Sequence, residues 1–118
     1  PDFGLIEKIS DALDLIGFYV FSYDGVGHGR DAGARMFAPR YGIREESATG
    51  MAAGPLACYL HDNLGIDKQE FAIEQGHWMS PPSPSVITVR LALDADGKIK
   101  NLYAGGRGAI KEIKEIVF

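Results

Sequence analysis

The stretch Ala48-Thr-Gly-Met-Ala-Ala-Gly-Pro55 most constrains the fold. It is nearly all small residues, and it leads into Leu56, Tyr59, Leu60 and Leu64 at helical spacing, with Gly65 as a stop. Small side chains let a helix lie close to surrounding backbone, so the expectation is a helix over 48–64 buried on all sides. Pro55 lacks the N–H that would bond four residues back. The helix therefore kinks there, or its regular part begins at Pro55. With 118 residues and 12.8 kDa, the chain makes one domain. About two-thirds of its extended surface becomes buried on folding, enough for a core without staples.

The remaining elements follow from periodicity. Leu5, Ile6, Ile9, Leu13 and Ile16 predict an amphipathic helix over 4–15, packed on a core and ended by Gly17. Residues 17–23 are mostly β-branched or aromatic and predict a strand buried on both faces or nearly so. Asp24-Gly-Val-Gly-His-Gly-Arg-Asp31 reads as a surface hairpin loop, despite its glycine spacing. Residues 34–38 make a second strand stopped by Pro39, and 70–75 a third. Residues 80–85 are a turn or extended linker. In 86–93, Ile87, Val89, Leu91 and Leu93 share one face, with Thr88 and Arg90 on the other. Asp94-Ala-Asp-Gly97 is a hairpin turn, and 98–104 is the returning strand. The tail fits either type: Ile110, Ile113 and Ile116 suit a helix, while Ile110, Ile116 and Phe118 share a strand face.

Sixteen acids against twelve bases, without a basic run, argue against nucleic acid as a partner. The longest uncharged stretches are too short for a membrane span, and no signal peptide opens the chain. One cysteine, Cys58, excludes an internal disulfide and fits a reducing cytosol, so the expected location is cytoplasmic. Cys58 is expected in the core. His28, His61 and His77 lack metal spacing, so no metal is expected. His61 is placed on the helix surface and His77 at a strand end, and Trp78 reads as a packed aromatic. Pro1 is not a methionine, which suggests a processed or truncated piece.

The chemistry concentrates in residues 35–54. A strand leads through a loop to Glu45, Glu46 and Ser47, and then to the small-residue helix start. Free N–H groups near residues 49–52 suit an anion, and Gly50 allows close approach to the backbone. Glu46 beside them can act as acid or base. The alternative is that Glu45, Glu46 and Ser47 only cap the helix and favour its dipole.

Three motifs carry a family resemblance. Arg35-Met36-Phe37-Ala38-Pro39, Gly42-Ile43 and Glu45-Glu46-Ser47-Ala48-Thr49-Gly50-Met51 form the first. Glu74-Gln75-Gly76-His77-Trp78-Met79 is the second, and Ala104-Gly105-Gly106-Arg107-Gly108 the third. In this order they resemble the second half of the phenazine-biosynthesis PhzF-like family, within the diaminopimelate-epimerase superfamily. The resemblance implies an α+β fold: one diaminopimelate-epimerase-like half, with a long central helix wrapped by a curved, mostly antiparallel sheet. It makes residues 1–118 a single C-terminal domain, without the N-terminal half that normally precedes it.

Complete members carry the active site between two such halves. They use no cofactor and move a proton at a carbon next to a carboxylate or alkene. The namesake isomerises trans-2,3-dihydro-3-hydroxyanthranilate. Carried over by position, Glu46 is the catalytic acid/base, and Thr49, Gly50 and Met51 bind the carboxylate of a small substrate. Glu46 replaces an aspartate, Met51 replaces a hydroxyl residue, and the family's arginine after the second motif is missing from Ser80-Pro81-Pro82-Ser83. Ser47 stands where related epimerases have a cysteine base. The expectation is one half of an isomerase, completed by the missing half or by homodimerisation. The other reading is a standalone half that homodimerises and binds a small anion or a partner without catalysis.

Overall fold

The strand that organises this chain is the alanine-rich stretch Ala32–Ala38. In the computed structural model, which describes residues 1–24, 26–110 and 112–117, it has neighbours along both edges. The element order is α1 (Phe3–Ala12), β1 (Phe18–Ser22), β2 (Ala32–Ala38), a 3-10 turn (Pro39–Tyr41), β3 (Ile43–Glu46), α2 (Gly50–Asp62), β4 (Glu70–Gln75), β5 (Ser85–Leu93) and β6 (Ile99–Gly106). The strands form one sheet in the order β1-β2-β4-β5-β6, with β3 also on β2. All pairings are antiparallel except β2 with β4.

The register around β2 positions the site. β1 lies along one edge, from Phe18 opposite Phe37 to Ser22 opposite Gly33. On the other edge, β4 runs parallel beside residues 32–34 and β3 runs antiparallel beside residues 36–38. β3 and β4 thus share one lane and meet end to end. Their last residues, Glu46 and Gln75, sit opposite Met36 and Ala34.

α2 covers one face of the sheet. Ala53, Leu56, Ala57 and Leu60 pack on Ala32, Ala34, Phe71, Ile73, Ile87, Val89 and Leu91. The alternation predicted for β5 holds: Ile87, Val89 and Leu91 are buried, while Thr88 and Arg90 point outward. The hairpin at 94–97 forms, with Gly97 at φ 78° and its N–H donating to Asp94 O.

Several expectations are corrected. α2 is not buried all round: Met51, Pro55 and Tyr59 are exposed, because a helix on a sheet hides one stripe. It begins at Gly50 and runs through Pro55. Its buried stripe passes through Leu56 and Leu60, leaving Leu64 past the helix end and exposed. Cys58 is half-buried against the core, and burial raises its thiol pKa.

α1 ends at Ala12, not at Gly17. Asp14 takes the left-handed position at φ 51°, with Leu15 N–H bonding Ser10 O and Asp14 N–H bonding Asp11 O, a Schellman arrangement. Gly17 instead lets the chain pass Phe37 O, where a Cβ would collide. Leu5, Ile9, Leu13 and Ile16 are exposed rather than packed. The polar side anchors α1: Arg40 pairs with Asp11 and Asp14 and donates to Leu15 O. β1 is an exposed edge strand, not a doubly buried one. β2 begins two residues before its expected start, and β3 was not expected at all. Residues 107–110 and 112–117 carry neither helix nor strand; the strand reading of the tail involved Phe118, which lies outside the described residues.

Candidate functional site

Two strands meeting end to end leave a gap in the lane, and the chain from β3 crosses it to start α2. Three residues, 47–49, make that crossing. Gln75, the last residue of β4 and 1% exposed, closes the gap. Its amide uses its whole hydrogen-bonding capacity. Nε2 donates to Glu46 O (2.6 Å) and to Thr49 Oγ1 (2.9 Å). Oε1 accepts from Thr49 N–H and from the Tyr19 hydroxyl, both at 3.1 Å. Burial pushes the Tyr19 phenol up to about 12 from an ordinary 10.0. Ser85, at the start of β5, adds an Oγ–H bond to Ser47 O (2.5 Å). Gly76, at φ 81°, turns where any Cβ would run into Ser83 O.

The adjacent acids separate because strand residues alternate faces. Glu45 receives a bidentate bond from Arg35, at 2.8 and 2.9 Å, and the pairing raises the guanidinium pKa. Glu46 points the other way and is half-buried. Its Oε2 accepts from Thr49 Oγ1 at 2.5 Å; Oε1 has no donor among the described residues. A relay therefore runs from Gln75 through Thr49 to the Glu46 carboxylate. Neither acid caps α2. Thr49 is the N-cap, its side chain makes no cap bond, and the first turn holds no acid.

The structure brings Glu46, Thr49, Gly50 and Met51 together in one turn. Thr49 N–H belongs to Gln75, and Thr49 O accepts from Ala52 and Ala53. The Gly50 and Met51 N–H groups have no acceptor among the described residues, and Gly50 is exposed. Met51 itself is 89% exposed, so its side chain belongs to no core. A cavity of about 270 Å³ opens beside Gly50, between residues 85–87 and 104–107. A Cβ on Gly50 would lie 3.8 Å from Ala104 Cβ, so the third motif stands across this cavity from the first. Glu46 does not line it. Sequence reasoning missed Gln75, Tyr19 and Ser85 as site residues. The Glu-Gln-Gly match was the available signal for Gln75; nothing in the local pattern of the other two marked them.

The three histidines remain apart. His61 Nδ1 lies 2.8 Å from Asp62, and His77 Nε2 lies 3.9 Å from Glu74. No metal-holding cluster of His, Cys, Asp and Glu is present among the described residues. None of the helices is long and apolar enough to cross a membrane, among the described residues.

The chain matches the family described as phenazine biosynthesis-like protein (PhzC-PhzF) over residues 1–112, and it belongs to that family. It is 38% identical over 87 residues to a trans-2,3-dihydro-3-hydroxyanthranilate isomerase of Pseudomonas aeruginosa, covering 70% of this chain and 29% of that protein. An uncharacterised isomerase of Clostridium acetobutylicum is 29% identical over 107 residues, covering 89% and 35%. The chain thus spans about a third of the length of these relatives. A PhzF-family phenazine biosynthesis protein of Bacillus anthracis shares the fold, with TM-score 0.65 at 16% identity, over 89% of this chain and 40% of that one.

Proposed function

We propose that this chain supplies one wall of the active site of a PhzF-type isomerase, which transfers a proton on a small carboxylated substrate without a cofactor. The observation that carries the reading is the Gln75 clamp. It bonds Glu46 O, Thr49 N–H and Thr49 Oγ1 and leaves one Glu46 oxygen and two consecutive amides available. The Gly50 and Met51 N–H groups hold the substrate carboxylate, a charge-assisted interaction favoured by the α2 dipole. Glu46 then gives or takes a proton at a carbon near that carboxylate, with Thr49 orienting its other oxygen. Similarity to the isomerase of Pseudomonas aeruginosa supports a ring carboxylate of the dihydro-hydroxyanthranilate type.

A single wall exposes what a second would cover. Phe21 of edge strand β1 and Tyr59 of α2, with ring centroids 5.7 Å apart, form an exposed apolar surface, and Val20 is exposed on the other face of the same edge. The residues preceding this domain in a two-half protein, or a second copy, pack there and complete the wrap around α2. Met51 in place of a hydroxyl residue favours the non-catalytic version, in which the completed cleft binds an anion only. The test is proton exchange between substrate and D₂O in the completed assembly. Glu46→Gln is expected to slow it by roughly 10²–10⁴ with the fold intact. Equal exchange in wild type and variant would reject Glu46, and binding without exchange in wild type would favour the non-catalytic reading.

A further inference from the structure

A cleft of about 790 Å³ adjoins the cavity beside Gly50 and shares Ser85, Val86, Gly106 and Arg107 with it. It lies on the sheet face opposite α2. Ala72 and Thr88 stand directly opposite each other in the β4–β5 register, on the side away from the core, and help form its floor. Arg30, from the β1–β2 loop, and Arg107, just past β6, contribute guanidinium groups to its lining, and His77 an imidazole. No acid lines it. Neither arginine has an ion-pair partner among the described residues.

The wall is built around a buried carboxylate. Glu74 is 6% exposed. Its Oε1 accepts from Gly27 N–H at 3.2 Å, which ties the loop carrying Arg30 down onto the sheet. Its Oε2 faces His77 Nε2. A Cβ on Gly27 would meet Glu74 Oε2 at 2.8 Å, so glycine there permits the approach. On a chain of net charge −4, a cleft lined by cations without exposed acids concentrates positive potential. Its volume fits a small organic ligand.

We propose that this cleft is a second binding site, on the sheet face away from the α2 amides, for a small molecule carrying a dianionic oxygen group, carboxylate or phosphate. Arg30 and Arg107 bind the anion. Ala72 and Val86 take the apolar body, and Glu74 holds the Arg30 loop in place without touching the ligand.

Nitrogen-labelled chain titrated with phenyl phosphate, phthalate and benzoate tests this, read by NMR from the Arg Nε–H signals and the amides of Ala72 and Thr88, which line this cleft and not the cavity beside Gly50. The two dianions are expected to shift these signals to saturation, with benzoate at least tenfold weaker; which dianion binds tighter identifies phosphate or carboxylate as the preferred group. Arg30→Gln and Arg107→Gln are each expected to weaken binding about tenfold. Arg107 is exposed, so its variant reports even if Arg30→Gln disturbs the loop. Shifts that never saturate, or saturate equally in the Arg107→Gln variant, would overturn the proposal. The Gly50 and Met51 amides report the other site separately, so either assignment can fail alone.

Discussion

Gln75 is where the fold and the site become the same problem. A fully buried amide with four partners is stable only while all four remain. Gln75→Leu keeps the volume but leaves Thr49 N–H and the Tyr19 hydroxyl without their acceptor. Each stranded buried group costs about 1–3 kcal/mol, so denaturant midpoints are expected to fall by the equivalent of at least ~2 kcal/mol. An unchanged midpoint would mean that the clamp is not holding the crossing. Tyr19 supplies the pH test. Its phenol ionises near 12 when folded and near 10.0 when unfolded. The native state therefore binds more protons between those values, and stability falls as pH rises through them. Tyr19→Phe is expected to remove that part of the alkaline decline, measured as midpoint against pH for both proteins. Parallel curves would contradict the burial argument.

At the scale of elements, two joints carry most of the risk. Gly76 combines a positive φ with a turn that has no room for a Cβ. Gly76→Ala is therefore expected to destabilise by more than about 1 kcal/mol and to disturb the amides of Ser47 and Ser83 in NMR spectra. α1 is held by Arg40 and by Phe3, whose ring packs edge-on against Phe37. Arg40→Met is expected to lower hydrogen-exchange protection in residues 3–15 while leaving β2 and β4 protected; equal protection would show that apolar contacts suffice.

The same elements show what the sequence made legible. Alternation in 86–93 and the Asp-Gly turn identified the β5–β6 hairpin because both signals are local. The 46–51 turn was legible because its motif is contiguous. β3 was not, since Arg44, Glu45 and Glu46 give a four-residue strand no apolar alternation, and only pairing with β2 defines it. The α1 stripe was read correctly as amphipathic and wrongly as packed, because periodicity identifies a face without identifying what covers it. Gln75 belongs to a strand correctly predicted, but its role depends on β3 and β4 meeting end to end, which local pattern does not encode.

At the scale of the whole molecule, an edge strand and two helices show apolar side chains to solvent. Such a surface drives association. Sedimentation is expected to show concentration-dependent association of the chain, weakened by Val20→Lys, which places a charge on the edge. Association unaffected by that change would move the interface elsewhere, to α1. The central claim, that the clamped turn offers a carboxylate site, is tested most directly by titrating the nitrogen-labelled chain with 3-hydroxyanthranilate. Saturable shifts of the Gly50 and Met51 amides are expected, lost when Gln75→Leu releases the turn. Shifts that leave those two amides still while other signals move would contradict it.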